Sequence, residues 1–557
     1  MPHRSPLHVG MRRVFSKVLL AGLLAIQQID ARDLKSRKVT TRLRARDDAA
    51  FDWYKLDASE DITWTPCGSG QQCARVLLPL DYSREADSPK ATIALQMQPA
   101  AGNATYKGAV LVNPGGPGGS GTQMVAEIGT NLTELVGAGY DVIGFDPRGT
   151  GATLPLAQCF ETESELQTFA QRTPVLVNAS DDSIPYSKAQ NDAVAQLCQR
   201  KLGGNGSEDA NGTVEEWGGG RFMDTASVAT DMLRIIEKLG QDKLHYFGVS
   251  YGTILGQYFA SLYPDKVGRF VIDAVCDAEY YPWNSALVET EGVIDGLYSY
   301  CHLAGPAKCP LYESSIAKIK ARVWNIMKTK TPLAVPFAAQ GPAVVTEALL
   351  QQQILNAVYF PISEWPEFAN ILVAVETNNQ SVLAASDFVA AAAPACNSTN
   401  EPAPWLRTNS AEYAIACSDY PLADDPAAFD AYLREMTRES PIAAPGWVGS
   451  YLACMKWKIE AKKRFAGPFA GNTSSPIFVL SNVLDPVCPF AHARRVHARF
   501  PGSGLLVQNA TGHVATLTPS ACTVAAVQAY FANGTLPAAG AVCQPNVLPF
   551  VGAVGGD

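Results

Sequence analysis

Eight short apolar runs, each bounded by turn-forming residues, constrain the fold of this chain more than any other feature. They lie at 74–80 (ARVLLPL), 91–97 (ATIALQM), 109–113 (AVLVN), 141–145 (DVIGF), 244–249 (LHYFGV), 269–275 (RFVIDAV), 477–482 (IFVLSN) and 504–508 (GLLVQ). Runs of this length, rich in aliphatic and aromatic residues, read as strands buried on both faces. The segment 223–239 has helical spacing and precedes the run at 244–249, and 253–263 follows it. Strand–helix alternation predicts an α/β architecture, a mostly parallel sheet with helices on both faces.

Between about 278 and 470 this rhythm stops. The segment 315–328 (SIAKIKARVWNIMK) places Ile316, Ile319, Val323 and Ile326 on one helical stripe. The segments 346–360 and 365–376 look similar, and an Ala-rich stretch follows at 389–395. Strands resume at Ile477. The simplest reading is a sheet domain over 47–277, a helical insertion over 278–470, and completion of the sheet over 471–557.

Charge is distributed unevenly. Residues 1–46 hold eleven Lys/Arg against Asp30 and Asp33, which leaves 33 basic and 51 acidic side chains, net −18, in 47–557. A body so acidic repels phosphate backbones, which excludes nucleic acid binding. The basic start has its own explanation. Arg12, Arg13 and Lys17 precede an apolar run from Val18 to Ile26, and Ala31 is a small residue suited to a cleavage point, so 1–31 reads as a secretory signal. The run is too short for a membrane span, which needs about 20 residues. Residues 32–46 read as a basic pro-segment or a flexible tail.

Two further patterns agree with export. Thirteen cysteines are present, and close pairs such as Cys67/Cys73 and Cys301/Cys309 suit local disulfides. No C-x-x-C occurs and histidine is scarce, which argues against metal ligation. Ten N-x-[ST] sequons stand at Asn103, Asn131, Asn178, Asn205, Asn211, Asn379, Asn397, Asn472, Asn509 and Asn533. Together they predict a secreted, extracellular glycoprotein.

The sharpest chemical motif is Gly248-Val249-Ser250-Tyr251-Gly252, between a predicted strand and a predicted helix. A serine on such a turn is exposed above a sheet as a nucleophile, and the flanking glycines let the chain reverse. A second motif, Asn113-Pro114-Gly115-Gly116-Pro117-Gly118-Gly119-Ser120-Gly121, directly follows the run at 109–113. Acyl transfer needs preorganised donors for an oxyanion. One is expected from the Tyr251 N–H and the other from Gly115 or Gly116, where no side chain blocks approach. A flexible loop or a phosphate cradle is the alternative, but the P-loop lysine and the G-x-G-x-x-G spacing are missing.

A serine hydrolase then needs an acid and a base, in that chain order after the serine. Asp485 ends the strand at 477–482 in an Asp-Pro turn, and His513 follows the strand at 504–508. His245 precedes the serine on its own strand. His492 and His497 sit on a predicted helix and are expected at the surface. The expected triad is therefore Ser250, Asp485 and His513, with no metal and no cofactor required.

With these residues in place, the chain resembles the secreted tripeptidyl-aminopeptidase-like serine hydrolases, relatives of the prolyl aminopeptidases. The resemblance runs from about Phe51 to about Pro545. It rests on NPGGPGGSG at 113–121, GFDPRGTG at 144–151, GVSYGT at 248–253, the Asp485-Pro486 turn, Gly512-His513, and a C-terminal stretch with Cys522, Tyr530, Gly534, Pro537 and Cys543. It implies the α/β-hydrolase fold with a large helical cap inserted before the strand that carries the catalytic Asp. It also implies disulfides Cys67–Cys73, Cys159–Cys198, Cys301–Cys309, Cys417–Cys454 and Cys522–Cys543. Two positions depart from the pattern: relatives commonly carry Thr at the place of Cys488 and often Gly at the place of Ala274. Cys276, Cys396 and Cys488 fall outside the implied pairs, and Cys488 is expected to be a buried spectator thiol.

The implied activity is release of short N-terminal peptides or residues through an acyl-enzyme on Ser250. Recognition of a free α-ammonium requires a carboxylate facing it. For a tripeptide that charge sits roughly 10 Å from the cut at extended spacing, which points to the cap. Glu289, Glu291 and Asp419 are the candidates by position. A carboxylesterase-like or small-metabolite tailoring hydrolase would share the triad and differ in the cap, and a binding protein with a dead site is the third reading. The substrate is accordingly a peptide or a small ester or amide, and the sequence leaves the oligomeric state open.

Overall fold

The computed structural model describes residues 51–554 apart from 174–175, 205–216, 280–286, 339–340, 387 and 390–408. The predicted signal and basic segment, the sequons at Asn205, Asn211 and Asn397, most of the Ala-rich stretch, and Cys396 lie outside the described residues. Of the remaining sequon asparagines, Asn103, Asn178, Asn379, Asn472, Asn509 and Asn533 are exposed and Asn131 is half-buried.

All eight predicted runs are strands of one 11-stranded sheet. Its first part is β1 (Ala58–Ser59), β2 (Thr65–Gly68), β3 (Gln71–Pro79), β4 (Lys90–Gln98), β5 (Gly108–Asn113), β6 (Tyr140–Phe145), β7 (Leu244–Val249) and β8 (Val267–Asp273). A small hairpin of β9 (Leu333–Val335) and β10 (Ala343–Val345) lies within the helical insertion. The sheet then resumes with β11 (Ile477–Leu484), β12 (Gly504–Thr511) and β13 (Val542–Cys543). The spatial order is β1-β3-β4-β6-β5-β7-β8-β11-β12-β13, with β2 beside β3. From β6 onward every pairing is parallel, while β3–β4 and β4–β6 are antiparallel. The predicted strand 269–275 stops at Asp273 because Ala274 turns into the left-handed region at φ 57°.

Helices cover both faces, as the two-sided burial of the strands requires. Helices Thr225–Lys238, Tyr251–Leu262 and Phe490–Arg499 pack on one face. Helices Gly121–Val136 and Ala521–Asn533 pack on the other. Each of the two apolar layers is continuous across the central strands.

The described residues between Leu287 and Lys456 are helical apart from the β9–β10 hairpin and turns. The predicted helices appear as Ile316–Thr329, Glu347–Ala357 and Pro361–Glu376. The last begins four residues before its apolar pattern because Pro361 takes the first helical position, where the missing N–H costs nothing. This cap has a second contributor. The helix Ser183–Leu202, which lies between β6 and β7, packs against the cap helix Gly449–Lys456. Lys188 pairs with Asp430 at 3.0 Å, and the Val177 N–H donates to the Pro445 carbonyl at 3.1 Å.

The GFDPRGTG segment is structural. Asp146 accepts from Ser120 Oγ, from Thr122 and from the Ala152 N–H, tying it to the glycine-rich turn. Arg148 is buried and paired with Asp231 through Nε and Nη2, both at 2.8 Å. A buried pair of this kind is expensive to break from one side.

All five disulfides implied by the resemblance are present. The expectation for Cys488 is corrected: it is joined to Cys276 across 212 residues of sequence. Each cysteine lies three residues beyond an aspartate at a strand end, Asp273 as the last residue of β8 and Asp485 directly after β11, and the two strands are paired neighbours. Their proximity is a property of sheet order, which no linear spacing reveals.

Candidate active site

The nucleophile turn forms where β7 meets its helix. Ser250 sits at φ 57° and ψ −125°, a conformation that a non-glycine residue rarely adopts and that the surroundings must enforce. The enforcement is local. The Ser250 N–H donates to the Asp273 carbonyl at 3.1 Å. A Cβ on Gly248 would lie 2.6 Å from the Gly252 carbonyl, and one on Gly252 would lie 2.8 Å from the Asn113 carbonyl. The elbow and the glycine-rich turn are thus packed backbone to backbone.

Of the two glycines named by sequence, the turn after β5 brings one to the cavity. The Gly115 N–H donates to Asn113 Oδ1 at 3.0 Å, so it is committed to its own turn. Gly116 instead lines the cavity beside Ser250. Gly115 matters by contact: its Cβ would meet the Val249 carbonyl at 2.5 Å and Ser250 Cβ at 2.8 Å.

Asp485 and His513 meet at the carboxyl ends of β11 and β12. His513 Nδ1 lies 2.9 Å from Asp485 Oδ1 and 3.0 Å from Oδ2, and both residues are buried. Asp485 Oδ1 also accepts from the Val487 N–H at 2.9 Å and the Cys488 N–H at 2.8 Å, which fixes the carboxylate plane. The base loop is held on several sides. The Gly512 N–H donates to the Leu484 carbonyl, and Asn482 Nδ2 donates to the Gly512 carbonyl. The His513 N–H donates to the carbonyl of Tyr359 in the cap at 2.8 Å, and the Tyr359 ring packs edge-on to the imidazole at 5.4 Å.

Asp273 is a positioning residue that the sequence reading passed over. It is fully buried and accepts from the Ala515 N–H, the Thr516 N–H and Thr516 Oγ1, all within 2.9 Å. Burial raises its pKa and these bonds oppose the rise. Its position at the end of β8, between the strand of the nucleophile and the strand of the acid, was the available signal. No hydrogen bond joins Ser250 Oγ to His513 among the described residues. Catalytic hydrogen bonds of this type commonly tighten only with substrate bound.

A cavity of about 250 Å³ opens above Ser250. Ser250 and Gly116 form its floor, Pro486 and Val487 belong to the acid turn, and the cap contributes Tyr359, Glu412, Tyr413, Tyr432 and Trp447 among others. Glu289, Glu291 and Asp419 are not among its lining residues. Glu289 Oε2 accepts from the Phe490 N–H at the start of a helix, and Glu291 Oε2 accepts from Ser440 Oγ at 2.6 Å within the cap. Asp419 accepts from the Thr225 N–H and hydroxyl, and Thr225 in turn bonds the Tyr251 hydroxyl beneath the elbow. All three acids therefore brace structure. Two histidines also differ from expectation or clarify it. His492 is buried and accepts from the Asp277 N–H at 3.2 Å, while His497 is half-buried against Ser503.

Fold and site together define a serine hydrolase of the α/β-hydrolase fold. Residues 108–300 match the family model described as alpha/beta hydrolase fold. Residues 440–543 match the family model described as TAP-like protein. A tripeptidyl aminopeptidase of Streptomyces lividans is 27% identical over 512 residues, covering 88% of each chain. The serine protease Hip1 of Mycobacterium tuberculosis is 26% identical over 517 residues, 87% of this chain and 91% of that one. Carboxylesterase B of the same organism is 28% identical over 489 residues, 85% and 86% respectively.

Proposed function

We propose that this protein is a secreted serine peptidase that releases short peptides or residues from free N-termini through an acyl-enzyme on Ser250. The observation that carries the reading is the buried His513–Asp485 pair, with Ser250 on a strained elbow at the floor of a capped cavity. His513 takes the Ser250 proton as Oγ attacks the scissile carbonyl, and Asp485 holds the tautomer that leaves Nε2 facing the nucleophile. The oxyanion forms against the N–H groups of Tyr251 and Gly116. The C–N bond then breaks, the amine leaves with the proton from His513, and water activated by the same base hydrolyses the ester. Six exposed sequon asparagines and six disulfides support an extracellular, glycosylated protein.

A carboxylesterase-like reaction is the second reading, favoured by the similarity to Carboxylesterase B. Product analysis by mass spectrometry separates the two. Purified protein, with Ser250→Ala as control, is given an N-terminally free peptide, its acetylated twin and a short-chain p-nitrophenyl ester. Release of short peptides from the free substrate is expected. Ester turnover with both peptides untouched would overturn the peptidase reading.

A further inference from the structure

The cavity above Ser250 is electrically one-sided. Among its lining residues Glu412 is the only carboxylate, and none is Lys, Arg or His. Glu412 stands near the start of the cap helix Asn409–Asp419, half-buried at the cavity wall. Among the described residues no hydrogen bond or ion pair reaches its carboxylate, and burial alone perturbs it, pushing its pKa up to about 7. A half-buried carboxylate that no donor reaches is less well stabilised in the empty protein than one held by hydrogen bonds. By contrast, every other acid first considered for substrate recognition is satisfied by backbone or hydroxyl donors.

The walls suit a cation as well. Tyr359, Tyr413, Tyr432 and Trp447 surround the same space. Aromatic faces attract ammonium groups and strengthen that attraction when water is excluded. An anionic or neutral ester gains nothing from this arrangement, and a substrate carboxylate would be repelled by it.

We propose that Glu412 is the anchor for the α-ammonium group of a peptide whose scissile carbonyl lies at Ser250. This rests on the peptidase reading and deepens it: the selectivity for a free N-terminus resides in one side chain of the cap. Glu412 touches the substrate terminus and takes no part in bond breaking.

The test compares wild type, Glu412→Gln and Glu412→Asp on three substrates: a free peptide p-nitroanilide, its N-acetyl twin and p-nitrophenyl acetate. Wild type is expected to prefer the free peptide. Glu412→Gln is expected to lose about 10- to 100-fold in kcat/KM on the free peptide, the range of a charge-assisted hydrogen bond, and to close most of the gap to the acetylated twin. Glu412→Asp should recover part of the loss, p-nitrophenyl acetate turnover should fall far less than peptide turnover in both because that ester has no ammonium group, and thermal unfolding certifies the fold. A Glu412→Gln enzyme that keeps its full preference for the free peptide overturns the assignment while leaving the peptidase reading intact. A wild type that cleaves only the ester overturns the peptidase reading itself. If Glu412→Gln loses the ester activity too, Glu412→Asp decides: retained ester turnover with a peptide preference reduced below wild type supports the anchor, and an undiminished preference overturns it.

Discussion

The carbonyl of Asp273 accepts the N–H of Ser250 at 3.1 Å, while the side chain of the same aspartate accepts two N–H groups and a hydroxyl just beyond His513. One residue at the end of β8 therefore sets the relative position of nucleophile and base. Misplacement of such groups by about 1 Å is enough to slow a reaction by about 100-fold.

Asp273→Asn should consequently lower kcat by about 10- to 100-fold on ester and peptide alike while leaving KM nearly unchanged. Steady-state kinetics on both substrates provides the check. A rise in KM with kcat intact would show that Asp273 acts on the binding cavity instead.

Gly512 carries φ 117° and packs against the cap, where an added Cβ would meet Pro361 Cδ at 2.6 Å. Gly512→Ala combines backbone strain with a clash at the base loop, so a loss of at least about 2 kcal/mol in stability is expected together with a large fall in kcat. Thermal unfolding and ester kinetics would measure both. A variant with wild-type kcat would mean that the loop tolerates displacement.

The Cys276–Cys488 bond closes a loop of 212 residues and ties the acid turn to the end of β8. A Cys276→Ser/Cys488→Ser double variant should lose up to about 5 kcal/mol by the chain-entropy argument, less because shorter disulfides already divide that loop. Denaturant unfolding would read the loss. Thiol counting adds a second check: with twelve of thirteen cysteines paired, alkylation before reduction should label Cys396 and no other position.

Glu412 has its pKa raised to about 7 by burial. Its charged form therefore grows as pH rises through 7, whereas a peptide α-ammonium is lost above about 8. The ratio of kcat/KM on free peptide to kcat/KM on ester should peak between these values, and His513, common to both reactions, cancels from it. Tyr359 and Tyr413 face the carboxylate, and burial holds their phenols protonated throughout this range. The stability consequence has the opposite sign. An acid whose folded pKa exceeds its unfolded value makes folding less favourable as pH rises above the unfolded value of about 4.5. Glu412→Gln should therefore unfold at higher temperature than wild type at pH 8, with the difference shrinking toward pH 4.5.

The strands were legible because burial on both faces leaves uninterrupted apolar runs, and the elbow because its glycines are forced by contacts only 2.6 and 2.8 Å away. Ser250, Asp485 and His513 could be nominated as a triad because each follows such a run in a known chain order, and the structure pairs two of them, Asp485 and His513. The substrate carboxylate could not. Glu289, Glu291 and Asp419 were reasonable by position, yet each is held by donors from distant segments, up to 201 residues away in the case of Glu289 and Phe490. Glu412 sits in a helix whose apolar pattern gives no sign of which residues face the cavity. Cys488 looked like a lone thiol because its partner lies just beyond the end of an adjacent strand rather than nearby in sequence. Local chemistry survives in the linear order, and contacts between insertion and sheet do not.

The hydrogen bond from the His513 N–H to the Tyr359 carbonyl has a consequence for any attempt to recombine these enzymes. The cap carries the recognition surface, so it is the natural piece to exchange when a different specificity is wanted. Here it also supplies one of the struts of the catalytic base. A transplanted cap would need to bring its own carbonyl to that point, or the hybrid would acquire a new pocket above a histidine with an unpaired backbone donor.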